Sequence, residues 1–338
     1  MRNGSFLLTC IAVLAGSIVL HAESKQRAYE AARRHALDAT DIFSSGPVQI
    51  RSTFHLHLVG GQVEGTYLFS RASKEDFRED VHLQDFNESV VSRSGERYVL
   101  RSKDLEPLAV SYLRDLIHLP HVVPIDAPAS KISTSVLNGQ NVECYTVDRH
   151  YSVFAGFSDY TDCFDPVSGA LTAVEWSFNS ETHRFEYLGF VHIGSKLFPS
   201  ILRRFHNGSL LLEANVDSIS NAGIDANFFD PPKNSLKQSA CERFEPARPE
   251  YGEKYFRIRS EYDSGAVVVA GSLDDHGKVQ ETEVQQSGGS KLDSAALDAV
   301  KEVHIHPAKC DGHATPSLFR LEVWFSPALH PDSFQSFR

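Results

Sequence analysis

The residues of this chain whose types and spacing could support chemistry are its cysteines and two pairs of histidines. Cys10 lies in an apolar N-terminal stretch, and four more cysteines follow at Cys144, Cys163, Cys241 and Cys310. An even number beyond such a stretch suits disulfide bonds in an oxidising compartment. Locality favours Cys144 with Cys163 and Cys241 with Cys310, although other connectivities are open and the second pair could instead be two buried thiols. There is no C-x-x-C spacing, so neither a redox motif nor a zinc knuckle is predicted.

The histidine pairs are His55 with His57 and His304 with His306. This spacing puts both rings of a pair on one face of a β-strand, where they can bind a metal ion if a third ligand comes from elsewhere. Each pair also flanks an apolar residue, as solvent-facing strand residues do. We therefore predict no metal site and no cofactor.

Motifs of the common enzyme mechanisms are absent from the sequence. It contains no G-x-S-x-G, H-E-x-x-H, P-loop or dinucleotide fingerprint. A secreted hydrolase would have to assemble scattered residues, so we predict no catalytic residues. The formal net charge of -11 argues against a nucleic-acid partner, whose phosphates need a basic surface.

The N-terminal segment has the pattern of a secretory signal. Arg2 precedes an apolar stretch over residues 6–20, and Ala22 is a small residue at a plausible cleavage point. A signal peptide over residues 1–22 implies a periplasmic or secreted protein. The alternative is an uncleaved inner-membrane anchor, because residues 6–22 reach the short end of the roughly 17 to 25 residues that span a bilayer. Only that alternative would place the chain at a membrane.

The elements that position these residues are clearest in the last third of the chain. Two strand-like stretches, residues 266–273 and 278–287, are separated by the sequence Asp-Asp-His-Gly, in which Gly277 can take a positive φ. Apolar residues at helical spacing follow, and Ser290 with Asp293 resembles a capping box that opens this helix. The pattern predicts a β-hairpin followed by a helix.

The last strand is predicted from alternation after Pro307, which forbids continuation of the helix. Its apolar residues are Phe319, Leu321, Val323 and Phe325, and Arg320, Glu322 and Trp324 lie between them. This strand closes a β-β-α-β unit.

The ordered features of this unit resemble the C-terminal domain of TonB-type proteins. The matching residues are Asp275 with Gly277, Ser287 with Gly288, Leu292 with Asp293, Ala295 with Ala296, Pro307 with Ala308, and Asp311 with Gly312. The resemblance implies a binding module whose last strand accepts an extended peptide of an envelope protein by β-augmentation. The binding residues that it implies are Leu318, Phe319, Arg320, Leu321, Glu322, Val323, Trp324 and Phe325. Alternatively this edge stays unused, because charged residues on an edge strand discourage pairing.

The preceding part of the chain is predicted to be rich in strands. A helix over residues 24–39 is followed by a long hairpin over 48–69, and a second helical stripe over 105–116 is opened by Asp104 and ends before Pro120. Further strands are predicted at residues 77–83, 142–149, 159–164, 171–178, 182–190 and 209–219.

One antiparallel sheet with helices against its concave face would use all these segments. It resembles the half-barrel of LolA-like lipoprotein carriers, with the sequence Glu-Gly-Thr-Tyr at residues 64–67 as the best local match. The resemblance implies an apolar cavity for an acyl chain, and a filled core is the alternative.

The 338 residues suggest about two domains. The predicted strands and helices indicate an α+β fold. We predict a signal peptide at 1–22, a half-barrel sheet domain with packed helices at 24–230, a Pro-containing linker at 231–248, a TonB-like domain at 249–327 and a tail at 328–338. The predicted function is binding of an envelope protein through the TonB-like module. The alternative is a periplasmic carrier of lipid or lipoprotein that acts through the half-barrel.

Overall fold

A computed structural model describes residues 24–58, 61–118, 129–147, 157–178, 181–238, 241, 243–250, 255–260 and 265–327. The predicted signal peptide and C-terminal tail lie outside these residues. Within the described ranges, every helix is too short or too polar to cross a bilayer. The fold is α+β, as predicted: an open antiparallel sheet is followed by a smaller unit of short strands and one helix.

The N-terminal unit contains fifteen strands among the described residues. In chain order they are β1 (Val48–Leu58), β2 (Gly61–Arg71), β3 (Phe77–Leu83), β4 (Asn87–Arg93), β5 (Glu96–Arg101), β6 (Ala129–Leu137), β7 (Gln140–Val147), β8 (Phe157–Phe164), β9 (Leu171–Phe178), β10 (Glu181–Leu188), β11 (Val191–Ile193), β12 (Lys196–Phe198), β13 (Ile201–His206), β14 (Ser209–Ser220) and β15 (Leu236–Gln238). β11 and β12 form a separate hairpin. The other thirteen form one antiparallel sheet in the order β15-β5-β4-β3-β2-β1-β14-β13-β10-β9-β8-β7-β6, which leaves β15 and β6 at its ends.

The alternation of buried and exposed residues determines which face of each central strand packs against the core. In β1, Phe54 and Leu56 are buried, whereas Arg51 and His57 are exposed, so one face of the strand turns to the core. Gly65 of β2 lies opposite Phe54, and a Cβ atom there would come within 2.5 Å of the Phe54 ring. A glycine is therefore needed at this position of β2, where no space is left for a side chain.

Two α-helices pack on the sheet, α1 (residues 24–40) and α2 (Leu108–Ile117). In α1, Tyr29 is fully buried and donates a 2.6 Å hydrogen bond to Asp162 Oδ2 of β8. The prediction that Asp104 opens the second helix is wrong, because the N-cap is Pro107, which has no side-chain capping bond. A residue before proline avoids the helical region, so the helix cannot extend back to Asp104.

A contiguous cluster of buried side chains lies between the helices and the sheet. Its largest members include Phe54 of β1, Tyr67 of β2, Leu113 of α2 and Phe198 of β12. These side chains form a hydrophobic core between the helices and the sheet. The acyl chain implied by the LolA-like resemblance stays a prediction.

The C-terminal unit contains nine strands and one helix among its described residues. They are β16 (Phe244–Glu245), β17 (Arg248–Pro249), β18 (Tyr255–Ser260), β19 (Gly265–Leu273), β20 (Val279–Gln286), α3 (Ser290–Glu302), β21 (Ile305–His306), β22 (Ala308–Cys310), β23 (His313–Thr315) and β24 (Ser317–Pro327). Four of the strands form a sheet in the order β18-β24-β19-β20. The predicted β-β-α-β unit is confirmed as β19, β20, α3 and β24.

The turn between β19 and β20 has the predicted chemistry. Gly277 has a φ of +82°, and a Cβ atom there would lie 2.3 Å from the carbonyl oxygen of Ile305. The Asp274 carboxylate accepts from the backbone N–H groups of His276 and Lys278, both at 2.9 Å. This turn therefore requires glycine for its backbone conformation and for its contact with β21.

The start of α3 differs from the predicted capping box. Gly289 is the N-cap, and Ser290 is the first helical residue rather than the cap. Asp293 still closes the helix start, because its carboxylate accepts from the Gly288 N–H at 2.9 Å and from the Ser287 hydroxyl at 2.6 Å. A glycine at the N-cap has no side chain to donate or accept, so the carboxylate bonds to residues before the helix instead.

The segment predicted as a linker, residues 231–248, carries short strands that pair with both units. β15 pairs with β5 of the large sheet, and β16 pairs with β22 of the C-terminal unit. Disulfide bonds join Cys241 to Cys310 and Cys144 to Cys163, the two pairs that locality favours. The second bond links directly opposite residues of β7 and β8.

Candidate functional site

The last strand, which carries the predicted binding residues, lies inside its sheet. β19 pairs with β24 antiparallel from Gly265↔Phe325 to Leu273↔Ser317, and β18 pairs with its other side in parallel from Tyr255↔Glu322 to Ser260↔Pro327. The prediction of a free edge is therefore wrong over residues 322–325. Alternation shows which residues share a face of a strand, but not which strand lies beside it.

The predicted binding residues divide between the two faces of β24. Phe319, Leu321, Val323 and Phe325 are buried in one hydrophobic cluster with Leu292, Ala296 and Val300 of α3. Arg320, Glu322 and Trp324 are on the opposite face and are partly exposed, and Leu318 is 41% exposed. Half of the predicted residues thus belong to the core of the unit.

The polar face of β24 meets the N-terminal unit at the segment before α2. The Glu106 carbonyl oxygen accepts from Gln285 Nε2 at 2.7 Å and from Arg320 Nη2 at 3.1 Å. Arg320 Nε also donates to Gln285 Oε1 at 3.1 Å, so the two side chains hold each other in place. A carbonyl at this junction is thus bound by residues of β20 and β24.

The side chain of the same glutamate belongs to a network of charges in the N-terminal unit. Arg114 of α2 donates to the carboxylates of Glu79, Glu106 and Glu88, the last at 2.6 Å. Glu79 and Glu88 are buried, with 7% and 2% of their surface exposed. Arg101 of β5 adds a second cation, with its Nη2 2.8 Å from Glu88 Oε2.

Burial and charge compete in this network. Burial raises the pKa of Glu79 and of Glu106 above the usual range, and the attraction of Arg114 offsets this only in part. Burial lowers the pKa of Arg114, but three carboxylates raise it further, so the net direction is upward. One guanidinium is shared by three acids, and so it stays charged while Glu79 and Glu106 are only partly compensated.

A second arginine fixes α2 from the other side. The Arg204 guanidinium of β13 lies 3.6 Å from the centre of the Tyr112 ring, and its Nη1 is 3.3 Å from Asp115 Oδ2. Ion pairs and a cation–π contact therefore join α2 to strands on both sides of it. This holds Glu106, just before the helix, at the junction with the C-terminal unit.

The sequence contains a signal for this network that the prediction did not use. Glu79 occupies an apolar-stripe position of β3, between Phe77 and Val81. Arg114 occupies the buried stripe of α2, between Val110 and Ile117. A charge at a core position of a strand together with an opposite charge at a core position of a helix indicates a buried ion pair.

A cleft of about 230 Å³ opens where the two units meet. Its lining residues are Arg101, Leu105, Glu106, Ala270, Leu318, Phe319 and Arg320. It therefore joins the end of β5 and the segment before α2 to β19 and the start of β24.

The two histidine pairs make different contacts. A ring nitrogen of His55 lies 2.9 Å from Gln62 Nε2, and the rings of His304 and His306 are nearly perpendicular, at 85°. Among the described residues, the only group of three metal-ligand side chains within 4.8 Å is the exposed turn at Asp274, Asp275 and His276. The Asp274 carboxylate already accepts the backbone bonds of that turn, so the group has a structural role.

Several solved structures are similar to this chain over part of its length. A LolA superfamily protein from Nitrosomonas europaea is 8% identical, covers 60% of this chain and 96% of its own, and has a TM-score of 0.38. A DUF1329 family protein from Desulfovibrio piger is 10% identical, with the same coverages and a TM-score of 0.41. The MucA/MucB complex from Pseudomonas aeruginosa matches at 12% identity, 73% of this chain, 81% of that chain and a TM-score of 0.28.

No curated protein sequence matches the chain. Residues 256–327 match the family model described as Gram-negative bacterial TonB protein C-terminal. This match confirms the TonB-like resemblance, and it covers the four-stranded sheet with α3.

Proposed function

We propose that the chain is a cell-envelope binding protein whose C-terminal unit binds an extended peptide of another envelope protein along β24. One observation carries the proposal. The backbone edge of β24 that does not pair with β19 already binds an extended segment, β18, in a parallel ladder of six residue pairs. The match of residues 256–327 to the TonB C-terminal family model supports it. In β-augmentation, main-chain hydrogen bonds of this kind supply the affinity.

On this proposal β18 occupies the site on β24 that the partner peptide would bind. Parallel pairs are slightly less stable per residue than antiparallel ones, so a partner segment can compete with β18 for the backbone of β24. Among the described residues, no strand pairs with residues 317–321 on the β18 side. A longer peptide could therefore gain hydrogen bonds there that β18 does not make.

The partner class and the location follow from the same proposal. The predicted signal peptide would deliver the chain to the periplasm, where segments of outer-membrane receptors are the candidate partners. We propose no catalytic role. No observation on the described residues specifically favours the carrier alternative, so peptide binding is the one function proposed.

The test uses the full-length chain and a labelled peptide with the sequence of β18, YFRIRS, alongside a scrambled peptide of the same composition. Arg257→Pro and Ile258→Pro each remove one backbone N–H. The N–H groups of adjacent strand residues point to opposite edges, so one of the two variants loses a hydrogen bond to β24 and the other does not. The variant that loses a ladder bond to β24 should bind the peptide about fivefold more tightly than the wild type. The scrambled peptide corrects for attraction between a basic peptide and an acidic chain.

A control variant separates the edge of β24 from its faces. Arg320→Gln changes the face at the junction but leaves the backbone edge intact, so its peptide affinity should equal that of the wild type. If YFRIRS binds no form of the protein more tightly than the scrambled peptide does, β24 is not the binding site and the proposal fails.

A further inference from the structure

We propose that the cleft at the junction of the two units binds a small molecule or chain end carrying an oxyanion, either a carboxylate or a phosphate. The cleft has about 230 Å³ of space, and two arginines from different units, Arg101 and Arg320, are among its lining residues. Arginine is the side chain best suited to bind carboxylates and phosphates through paired hydrogen bonds.

The charges that line the cleft are not balanced. Three lining residues are ionisable, and the one acid, Glu106, already accepts from Arg114. The two hydrogen bonds that Arg320 donates to described residues end on neutral oxygens, those of the Gln285 amide and the Glu106 backbone. Arg101 is paired with Glu88, so Arg320 is the lining cation that has no carboxylate within hydrogen-bonding distance among the described residues.

Each arginine also shows a specific deficit. The Nε atom of Arg101 is buried and has no hydrogen-bond partner among the described residues, although both of its Nη atoms are engaged, with Glu88 and the Asp104 carbonyl. Burial lowers the pKa of Arg320, which means that the protein solvates this cation less well than water does. A bound oxyanion would supply acceptors and negative charge to Arg320, and negative charge close to Arg101.

The rest of the lining limits what accompanies the oxyanion. Leu105, Ala270, Leu318 and Phe319 are apolar and come from both units. Such a lining suits a short apolar or neutral body next to the charged head, as in many small-molecule sites. The C-terminal carboxylate of a peptide and the phosphate of a small metabolite share this chemistry.

The test measures binding to the full-length chain by calorimetry with three probes: inorganic phosphate, triglycine with a free carboxylate, and amidated triglycine. Sodium chloride at the same ionic strength serves as the blank. We expect phosphate or free triglycine to bind, and amidated triglycine not to bind. Binding of phosphate alone would identify a phosphate ligand, and binding of free triglycine alone would identify a carboxylate ligand.

A variant at the mouth of the cleft tests the site without breaking the charge network. Leu318→Glu adds a carboxylate beside the arginines and should weaken oxyanion binding about tenfold, whereas the matched Leu318→Gln should leave it nearly unchanged. Arg101→Gln should also weaken binding, and Arg243→Gln, an exposed arginine outside the lining, should not. Unfolding curves of all variants show whether each one is folded.

Three results would overturn the proposal. One is the absence of heat from phosphate and from free triglycine beyond the chloride blank. Another is equal weakening by Leu318→Glu and Leu318→Gln, which would assign the effect to shape rather than charge. The third is binding of amidated triglycine as tightly as the free acid, with no binding of phosphate.

Discussion

Replacing Arg114 with methionine should strongly destabilise the N-terminal unit, because it removes the one cation shared by Glu79, Glu88 and Glu106. Breaking a buried ion pair by removal of one partner costs about 3 to 5 kcal/mol. Glu88 keeps Arg101 at 2.8 Å, so the uncompensated charge falls mainly on Glu79 and Glu106. We therefore expect a loss near the lower limit, about 3 kcal/mol in the free energy of unfolding at pH 7.5.

The loss should depend on pH with a definite sign. Burial already raises the pKa of Glu79 and of Glu106, and removal of Arg114 raises both further. A carboxyl group whose pKa is higher in the folded state contributes stability below its unfolded pKa of about 4.3, and this stability is lost as the pH rises through the folded pKa. Urea unfolding of Arg114→Met and wild type should therefore show a smaller difference at pH 5 than at pH 7.5.

A double variant tests the assignment. Arg114→Met combined with Glu79→Gln removes a cation and the more exposed of the two buried acids, and it should recover part of the stability lost in Arg114→Met at pH 7.5. A cost below about 1 kcal/mol for Arg114→Met would mean that the network behaves as a surface ion pair. The same cost at pH 5 and pH 7.5 would also refute this reasoning.

Three further changes should have measurable effects on unfolding. Replacing Cys144 and Cys163 with serine opens a loop with a sequence separation of 19, and should cost about 3 kcal/mol in urea unfolding under oxidising conditions. Burial, followed by the charges nearby, lowers the pKa of His183 to about 4, so the stability that its neutral form contributes above about pH 6.5 is lost on acidification. Between pH 7 and pH 5 the free energy of unfolding should therefore fall by about 1 kcal/mol less in His183→Gln than in the wild type. This value is reduced for the partial exposure of the ring. Gly277→Ala should lower the unfolding midpoint, at a cost of about 1 to 3 kcal/mol, because of its φ of +82° and the contact with Ile305.

Local patterns predicted the elements whose determinants are close together in sequence. The hairpin around Gly277 and the stripe of α3 are specified by a turn and by helical spacing within a few residues, and both are present. β6 was not predicted, because it is an edge strand whose residues are mostly polar and partly exposed, so neither face carries an apolar stripe. The start of α2 differs from the prediction because the residue before Pro107 avoids the helical region, whatever the capping tendency of Asp104.

The candidate sites depend on contacts between distant parts of the chain, and sequence patterns describe these poorly. Arg114 and Glu79 are 35 residues apart, and Glu106 and Arg320 are 214 residues apart. The alternation of β24 identified Arg320 as a polar-face residue, but a polar face can be covered by a polar partner as well as by water. Here the partner is a backbone carbonyl next to α2.

Both faces of β24 are thus in contact with other elements: one packs against α3, and the other contacts the N-terminal unit at the junction. This limits how the strand can recognise a partner. An added peptide can use only the backbone edge of β24 on the β18 side. Arg320→Gln should therefore weaken oxyanion binding and leave the affinity for YFRIRS unchanged, whereas Ile258→Pro or Arg257→Pro should change the peptide affinity and leave oxyanion binding unchanged. If either kind of variant changed both affinities by the same factor, β18 and the junction would respond as one element, and the two binding events would be linked by a coupling free energy.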